Sequence, residues 1–261
     1  MTTTAHDPAA PADPSPLTEE TDPPSPLTEE TDPLCLPPAR AAELLAAAPW
    51  RRFAALGDSL SAGVGDPSPG YASLGWPDRL ADVLRRVRPD LAYHNTGVVG
   101  ATAEQTLADQ LDAVAAFRPD LLHVSCGAND LFRRKLDFAL LEKTLRLVYE
   151  RAAATGARLT TFAFGRAFAV PSVPDWGDRI RALNALIREL ARTHDAVLVD
   201  FWDHPLNTRP NLLSADRIHF NASGQAIVAA ELVRELAALL ARTDPRRADL
   251  RGTGGGRTLE A

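Results

Sequence analysis

Residues 52–61 read Arg-Phe-Ala-Ala-Leu-Gly-Asp-Ser-Leu-Ser, and this stretch carries the strongest structural and chemical signal in the chain. Its first five residues predict a β-strand. A loop must follow, because three glycines and two prolines between residues 63 and 70 exclude regular structure. Ser59 therefore stands just beyond the carboxyl end of a predicted strand, which is where open parallel sheets bind their ligands.

The same strand-then-helix pattern continues along the chain. Predicted strands lie at residues 52–56, 91–95, 120–125, 158–164 and 196–201. Six helices are predicted. Three of them lie at 39–48, within 180–190 and at 226–240. The other three are marked by apolar stripes, one on Leu80, Val83, Leu84 and Val87, one on Leu107, Leu111 and Val114, and one on Phe138, Leu141, Leu145 and Val148. Strands that alternate with helices in this way predict an α/β fold, a doubly wound sandwich with a five-stranded parallel sheet.

The two ends of the chain differ from this central part. Residues 14–23 recur unchanged at 24–33 as Pro-Ser-Pro-Leu-Thr-Glu-Glu-Thr-Asp-Pro. Such an acidic, proline-rich segment has little apolar area to bury, so we predict a disordered leader at 1–38 that solubilises the chain or docks an unknown partner. The predicted folded domain spans 39–242, and a flexible tail follows at 243–261.

Composition excludes several classes of protein. The formal net charge of -6 is misleading, because residues 1–33 hold eight acidic side chains and no Lys or Arg. The rest of the chain is close to neutral and lacks the basic excess of a nucleic-acid-binding protein. No apolar run approaches the roughly 20 residues of a membrane-spanning helix, and the first residues lack the pattern of a secretory signal. We therefore predict a cytoplasmic protein with no membrane span.

The two cysteines, Cys35 and Cys126, predict free thiols rather than a disulfide framework. Cys126 ends a predicted buried strand, so a small apolar core residue is its simplest interpretation.

A serine hydroxyl becomes a nucleophile only beside a base that a carboxylate orients. Ser59 could be that nucleophile or a turn serine. The pair Asp216 and His219 could supply the carboxylate and the base, could form a simple loop hydrogen bond, or could be half of a metal site. The remaining histidines show no zinc-ligand spacing with this pair, so we predict no metal.

Two further segments offer N–H donors to a developing oxyanion. One is Asn95-Thr96-Gly97-Val98-Val99-Gly100, and the other is Gly127-Ala128-Asn129-Asp130. Taken singly, Gly100 could be a turn glycine and Asn129 a cap. Together with the Ser59 N–H they predict an oxyanion hole at the edge of the sheet that also carries the other candidates.

These blocks resemble those of the SGNH hydrolases, also called GDSL esterases and lipases, over about residues 50–242. The matches are Gly57-Asp58-Ser59-Leu60 for the nucleophile block, Gly100 for the oxyanion glycine, Gly127-Ala128-Asn129-Asp130 for the oxyanion asparagine, and Asp216-Arg217-Ile218-His219 for the acid and the base. The resemblance implies a flavodoxin-like three-layer fold and cofactor-free hydrolysis of carboxylic esters or thioesters through an acyl-enzyme. Phe220 departs from the pattern, since many members carry proline there.

Substrate contacts are expected from two loops that flank the crevice, at 63–76 and 165–176. In the second loop Phe168 could contact an apolar group, and Arg166 could face an anionic group or form a surface salt bridge. We expect a small-molecule ester as substrate. An acyltransferase that uses the same acyl-enzyme and a non-catalytic binding module remain as alternatives.

Overall fold

The fold is built on a single parallel sheet. The computed structural model describes residues 27–173 and 175–243. Five strands lie in the order β2-β1-β3-β4-β5, where β1 is Arg52–Gly57, β2 Ala92–Asn95, β3 Leu121–Ser125, β4 Arg158–Ala163 and β5 Val197–Asp200. All neighbouring strands are parallel. This is the flavodoxin-like order, which confirms the predicted fold class, with each strand boundary within one residue of its prediction.

Helices cover both faces of the sheet. One layer contains α1 (Pro38–Leu44), α2 (Trp76–Val87) and α7 (Ala222–Thr243), and the other contains α3 (Ala103–Asp109), α4 (Leu111–Phe117), α5 (Phe138–Ala153) and α6 (Trp176–Thr193). Two 3₁₀ helices, Asn129–Phe132 and Pro205–Thr208, follow β3 and β5. The three layers enclose one continuous apolar core. Among the described residues, none of these helices is long and apolar enough to cross a membrane.

The composition of each strand matches its place in the sheet. The central strands β1, β3 and β4 are buried almost throughout, because helices cover both of their faces. The edge strands are more accessible: every residue of β2 is half-buried, and only alternate residues of β5 are buried. The polar residues of β2 (Ala-Tyr-His-Asn) therefore lie where water can still reach them.

A helix that the sequence predicts as continuous is divided in two. Thr102 and Gln105 form a capping box at the start of α3. The helix ends at Asp109, however, and α4 begins at Leu111. The break falls on Gln110, whose buried side chain bonds the backbone of β1 instead of lying on the helix surface. Helical periodicity continues across the break, so the sequence pattern does not reveal it.

The prediction of a disordered leader is wrong for residues 27–38, which pack against the domain. Asp32 and Cys35 are buried, and Glu29 and Asp32 form ion pairs with arginines of the domain. These specific contacts offset an ordering cost that composition alone suggests is too large. Residues 1–26, which include the first copy of the repeat, and residues 244–261 lie outside the described residues. Of the tail predicted at 243–261, only Thr243 is described, and it is the last residue of α7.

Both cysteines are free, as the sequence predicts, and both are buried. Burial was predicted for Cys126 only, because the sequence places Cys35 in the leader. Burial raises the pKa of the Cys35 thiol to about 12 and also raises that of Cys126. His123 of β3 is buried between Trp76 and Phe162, and its Nδ1 lies 2.9 Å from Thr160 Oγ1. Burial lowers the pKa of His123 to about 3, so this side chain is a neutral part of the core. No group of three His, Cys, Asp or Glu within the described ranges could hold a metal ion.

Candidate active site

The candidate site lies at the carboxyl ends of the strands. Ser59 follows β1, Gly100 lies in the loop after β2, and Asn129 opens the 3₁₀ helix after β3. Asp216 and His219 lie in the loop that joins β5 to α7. The parallel sheet thus carries all of the predicted residues to one edge, from segments up to 160 residues apart.

Ser59, His219 and Asp216 form one hydrogen-bonded chain. His219 Nε2 lies 2.7 Å from Ser59 Oγ, and His219 Nδ1 lies 2.5 Å from Asp216 Oδ2. The other carboxylate oxygen of Asp216 accepts the N–H groups of Ile218 at 2.9 Å and of His219 at 3.0 Å. Partial burial opposes the charge of Asp216, but these hydrogen bonds outweigh it and hold the pKa of the carboxyl below its usual value. Asp216 is therefore ionised at neutral pH and fixes the orientation of the imidazole.

The loop that carries His219 is held at both ends. The Ser214 N–H donates to His219 O at 2.8 Å, which closes a tight turn around the acid–base block. Immediately afterwards Asn221 caps α7, since its Oδ1 accepts the N–H groups of Ser223 and Gly224 at 3.1 Å. The imidazole is consequently anchored to the start of the longest helix in the described part of the chain.

Phe220, the departure from the family pattern, packs into the core. Its ring lies edge-on to that of Phe168, with the ring centroids 4.9 Å apart. The centroid of the Phe201 ring lies 6.5 Å from that of Phe220. Phe220 thus joins the His219 loop to the aromatic residues Phe168 and Phe201.

Further contacts join the Ser59 loop to the His219 loop. Asp66 N–H donates to Ser214 Oγ, and Asp66 Oδ2 accepts the Ala215 N–H, both at 2.8 Å. The buried Gln225 of α7 donates to Val64 O at 3.0 Å. Contacts between neighbouring residues therefore hold Ser59 and His219 at their separation.

Residues that the sequence analysis missed hold the Ser59 loop itself. Gln110 Oε1 accepts the Gly57 N–H at 2.8 Å, and its Nε2 donates to Gly57 O at 2.7 Å. Asn95 Nδ2 donates to Ser61 O at 2.8 Å, and Trp76 Nε1 donates to Leu60 O at 2.7 Å. Nothing in the local sequence marks these polar groups as buried contacts, because their partners are backbone groups far along the chain.

Only glycine fits at position 57. Its φ is +135°, and a Cβ there would lie 1.7 Å from Ser125 O on β3. This close approach of two strands lets the chain turn sharply into Asp58 and Ser59.

The oxyanion candidates differ in how their donors are used. Asn129 Nδ2 donates to Ala101 O at 3.0 Å, which orients the amide and leaves its second N–H for another acceptor. The Gly97 N–H is occupied, since it donates to Asn95 Oδ1 at 2.9 Å. By contrast, no acceptor among the described residues bonds the N–H of Gly100 or of Ser59. Of these two glycines, Gly100 is the one whose N–H has no acceptor among the described residues.

A narrow crevice of about 30 Å³ opens beside Ser59. Its walls are mainly apolar and aromatic, formed by Leu60, Ala128, Asn129, Phe132, Phe164, Phe168, Val170, Trp176, Arg217, Ile218 and Ile180. A larger open groove of about 430 Å³ adjoins it and shares Phe168, Val170, Trp176 and Ile180 with it. Of the two loops expected to contact substrate, the one at 165–176 lines the crevice, and the one at 63–76 does not.

The two predicted substrate contacts have different surroundings. Phe168 is buried and lines both the crevice and the groove. Arg166 forms an ion pair with Asp203 and lies over the Trp202 ring at 5.4 Å, on the groove side only. The surface salt bridge weighed for Arg166 is the contact that the structure shows.

Asp58, directly before Ser59, is a buried carboxyl, whereas Asp216 is exposed. The Oδ1 of Asp58 accepts the Leu60 N–H at 3.0 Å, whereas its Oδ2 is buried and has no partner among the described side chains and backbone groups. Burial raises the pKa of Asp58 to about 7, and the nearby carboxyl of Asp130 acts in the same direction. The Asp58 carboxyl therefore titrates near neutral pH.

The model of the "GDSL-like Lipase/Acylhydrolase family" matches residues 55–227, well over half of the chain. The chain belongs to this family. The match spans Ser59, Gly100, Asn129 and the Asp216–His219 pair, which confirms the resemblance seen in the sequence. As a member of the GDSL-like family, the chain is a hydrolase that acts on ester bonds.

Curated relatives and a solved structure agree with this assignment. An arylesterase of Vibrio mimicus is 28% identical over 185 residues, which cover 69% of this chain and 86% of that protein. A protein of Escherichia coli K12 described as thioesterase 1/protease 1/lysophospholipase L1 is 27% identical over 186 residues, covering 71% and 83%. The crystal structure of TesA aligns with a TM-score of 0.57 at 26% identity, covering 72% of this chain and 99% of that one.

Proposed function

We propose that this GDSL-like hydrolase is a serine esterase that works through an acyl-enzyme on Ser59, with His219 as the base and Asp216 as the orienting acid. The observation that carries the proposal is the continuous chain of contacts from Ser59 Oγ through the imidazole to Asp216, at 2.7 and 2.5 Å. These are the roles that a hydroxyl nucleophile requires.

In the first half of the reaction, Ser59 Oγ attacks the carbonyl carbon of the ester and its proton passes to His219 Nε2. Asp216 keeps the other ring nitrogen protonated and stabilises the imidazolium that forms. When the tetrahedral intermediate collapses, the alkoxide or thiolate leaves and takes the proton from Nε2. The acyl group remains on Ser59.

In the second half, a water molecule takes the place of the departed alcohol. His219 Nε2 accepts a proton from this water as its oxygen attacks the acyl carbon. Collapse of the second intermediate breaks the bond to Ser59 Oγ, which recovers its proton from the imidazolium. The carboxylic acid then leaves, and the enzyme returns to its starting state.

Both intermediates carry negative charge on the former carbonyl oxygen. We assign the donors to the N–H groups of Ser59 and Gly100 and to the side-chain amide of Asn129. Their support is that each has an N–H with no acceptor among the described residues, while the Ala101 contact holds the Asn129 amide in place. Such fixed donors stabilise the transition state without reorganising during the reaction.

The crevice limits the substrate. A cavity of about 30 Å³ beside Ser59 accommodates little more than a few heavy atoms, so the group that enters it is short. The aromatic walls suit an apolar acyl group, and the adjoining groove of about 430 Å³ has room for the rest of the ester. We therefore propose short-chain carboxylic esters or thioesters as substrates. The cytoplasmic location stays a prediction from the sequence.

The decisive experiment combines turnover with covalent labelling. Wild-type enzyme is expected to hydrolyse p-nitrophenyl acetate and to react with a fluorophosphonate probe, whereas Ser59→Ala should do neither. Ser61→Ala is the matched control, because this neighbouring hydroxyl donates to Leu56 O at 2.8 Å and plays no part in the proposed chemistry. Labelling of Ser59→Ala at the wild-type rate would refute the assignment of the nucleophile. Product analysis with an added alcohol separates hydrolysis from acyl transfer.

A further inference from the structure

One side of the domain holds a peptide segment in a groove formed by Gly70, Tyr71, Ala72, Arg79 and Arg209, here called the docking groove. The segment is Leu-Thr-Glu-Glu-Thr-Asp at residues 27–32, from the second copy of the repeat. Its first anchor is Glu29. The Glu29 N–H donates to Gly70 O at 2.9 Å, its carboxylate accepts the Ala72 N–H at 3.0 Å, and it pairs with Arg79.

The second anchor is Asp32, whose side chain is fully buried at 0% exposure. Its Oδ2 accepts the hydroxyl of Tyr71 at 2.8 Å, and its Oδ1 pairs with Arg209 and accepts the Leu34 N–H at 2.9 Å. Tyr71 belongs to the loop after Ser59, and Arg209 precedes the Asp216–His219 block. The docked segment consequently fastens together the two loops that carry the nucleophile and the base.

The chain contains a second segment with the same chemistry. Residues 17–22 also read Leu-Thr-Glu-Glu-Thr-Asp, with Glu19 and Asp22 in the places of Glu29 and Asp32. Both of the acids that anchor the docked segment are therefore duplicated ten residues upstream. The docking groove offers one position for them, since Arg79 and Arg209 are each engaged by one acid.

We propose that the docking groove is a sequence-specific peptide-binding surface and that residues 17–22 of the same chain exchange with residues 27–32 as its ligand. Exchange is a register shift of ten residues, with residues 23–32 looping out between the docked segment and Leu34. Every contact that the anchoring acids make with the docking groove is then restored by an identical residue.

The second copy of the repeat is expected to occupy the docking groove more often than the first. Closing an extra loop of ten residues reduces the population of the shifted register by about 30-fold. In addition, the Leu34 N–H that donates to Asp32 has no counterpart after the first copy, because Pro24 follows Pro23 and has no N–H. The second copy thus predominates in the wild type, and the first takes over when the second is disabled.

The test measures binding of a labelled peptide, Pro-Ser-Pro-Leu-Thr-Glu-Glu-Thr-Asp-Pro, to full-length variants by fluorescence anisotropy. A tethered copy competes at an effective concentration on the order of 1 mM, so wild type, Asp22→Ala and Asp32→Ala should all bind the peptide weakly. The double variant Asp22→Ala/Asp32→Ala should bind it at least 10-fold more tightly than either single variant. A peptide with alanine in place of its aspartate should bind none of them.

Three results would overturn the proposal. If Asp32→Ala binds the peptide as tightly as the double variant, the first copy does not enter the groove. If the double variant binds the two peptides equally, the groove does not recognise this sequence. Sedimentation of Asp32→Ala as a dimer would also refute exchange within one chain, because the first copy would then dock on a second molecule.

Two controls keep the result interpretable. Glu30→Ala changes an exposed acid of the docked copy and should leave peptide binding as in the wild type. If the double aspartate variant lacks a native circular dichroism spectrum, the isosteric pair Glu19→Gln/Glu29→Gln replaces it and carries the same expectation. None of these measurements uses catalysis, so they are independent of the proposed ester hydrolysis.

Discussion

Asp58 and Asp216 show how the surroundings of one side-chain type decide its chemistry. Asp216 receives a hydrogen bond from an imidazole and two from backbone N–H groups, and it stays charged. Asp58 is buried beside Ser59 with one oxygen unpartnered among the described residues, and its pKa rises to about 7. The sequence predicts a role for Asp216 from its spacing to His219, but only burial distinguishes Asp58.

Loss of the Asn129 amide should damage turnover and spare the fold. Removal of one oxyanion donor typically lowers kcat by about 100-fold to 1,000-fold, so Asn129→Ala should fall in this range with p-nitrophenyl acetate. Asn129→Asp is the matched control for shape, and it should be at least as impaired because a carboxylate repels the oxyanion. Wild-type kcat in Asn129→Ala would remove this residue from the hole.

Replacement of Asp58 should change how stability depends on pH. Between about pH 4 and 7 the unfolded chain has released this proton while the folded protein retains it, so the free energy of unfolding falls as pH rises. The full effect is on the order of 4 kcal/mol. Asp58→Asn stays neutral and should lose this part of the pH dependence, as measured by urea denaturation at pH 5 and pH 8. The exposed Asp109→Asn should follow the wild type, and the idea fails if Asp58→Asn does so too.

Phe132 should limit the length of the acyl group. Its ring is 38% exposed, lines the crevice and contacts Trp176 with centroids 5.0 Å apart. Phe132→Ala should raise kcat/KM for p-nitrophenyl octanoate relative to the acetate, by about 10-fold, because a pocket contact of this size is worth 1–3 kcal/mol. Leu140→Ala, an exposed apolar residue on α5, should leave the ratio unchanged. An unaltered ratio in Phe132→Ala would place the acyl group elsewhere.

The strands and helices are joined at the catalytic edge by buried side-chain amides. Gln110 bonds both backbone groups of Gly57 at the end of β1, and Asn184 of α6 does the same for Phe164 after β4, at 2.8 and 2.9 Å. Backbone groups leave the sheet ladder at these points and would otherwise be buried without partners. The amides thus extend the order of the sheet into the loops that carry the site.

Gln110→Leu should destabilise the protein by about 3 kcal/mol, because it leaves a buried N–H and a buried C=O of Gly57 unsatisfied. It should also lower kcat, since Gly57 leads directly into Asp58 and Ser59. Gln105→Leu is the matched control, because this exposed glutamine lies five residues earlier and contributes only to the cap of α3. Equal denaturation midpoints for the two variants would contradict a role for Gln110 in holding the strand end.

Across the molecule, the leader and the domain form one folded unit from residue 27 onward. Cys35 of the leader is buried, and Arg234 of α7 donates to the backbone oxygens of Leu34 and Cys35 at 3.0 and 3.2 Å. A segment that composition marks as polar therefore closes one side of the core.

The reactivity of the Cys35 thiol should report whether the leader packs against the domain. With Cys35 and Cys126 buried and the pKa of each raised, neither should react with Ellman's reagent at pH 8, and both should react in guanidinium chloride. Cys126→Ala serves as the control that isolates Cys35. Rapid reaction of Cys35 in the native Cys126→Ala protein would show that the leader does not pack as the structure has it.

Accuracy of the sequence-based expectations followed the range of the interactions involved. Strand positions agree within one residue, because alternation of apolar runs and loops is a local signal. The break at Gln110 was missed, because its cause is a contact with Gly57, 53 residues away. The prediction of disorder was wrong over residues 27–38, because net charge and proline content do not reveal the distant partner of Asp32, which is Arg209.

The candidate site could be read from the order of the residues: a candidate nucleophile, two candidate sources of oxyanion donors and a candidate acid–base pair, each placed beyond the end of a strand. Folding in three dimensions settled the distances among them, the burial of Asp58 and the docking of residues 27–32. Local pattern fixes residue types and elements because both depend on near neighbours. Distances, burial and partner choice arise between segments remote in the chain, and they exist only once the layers have packed.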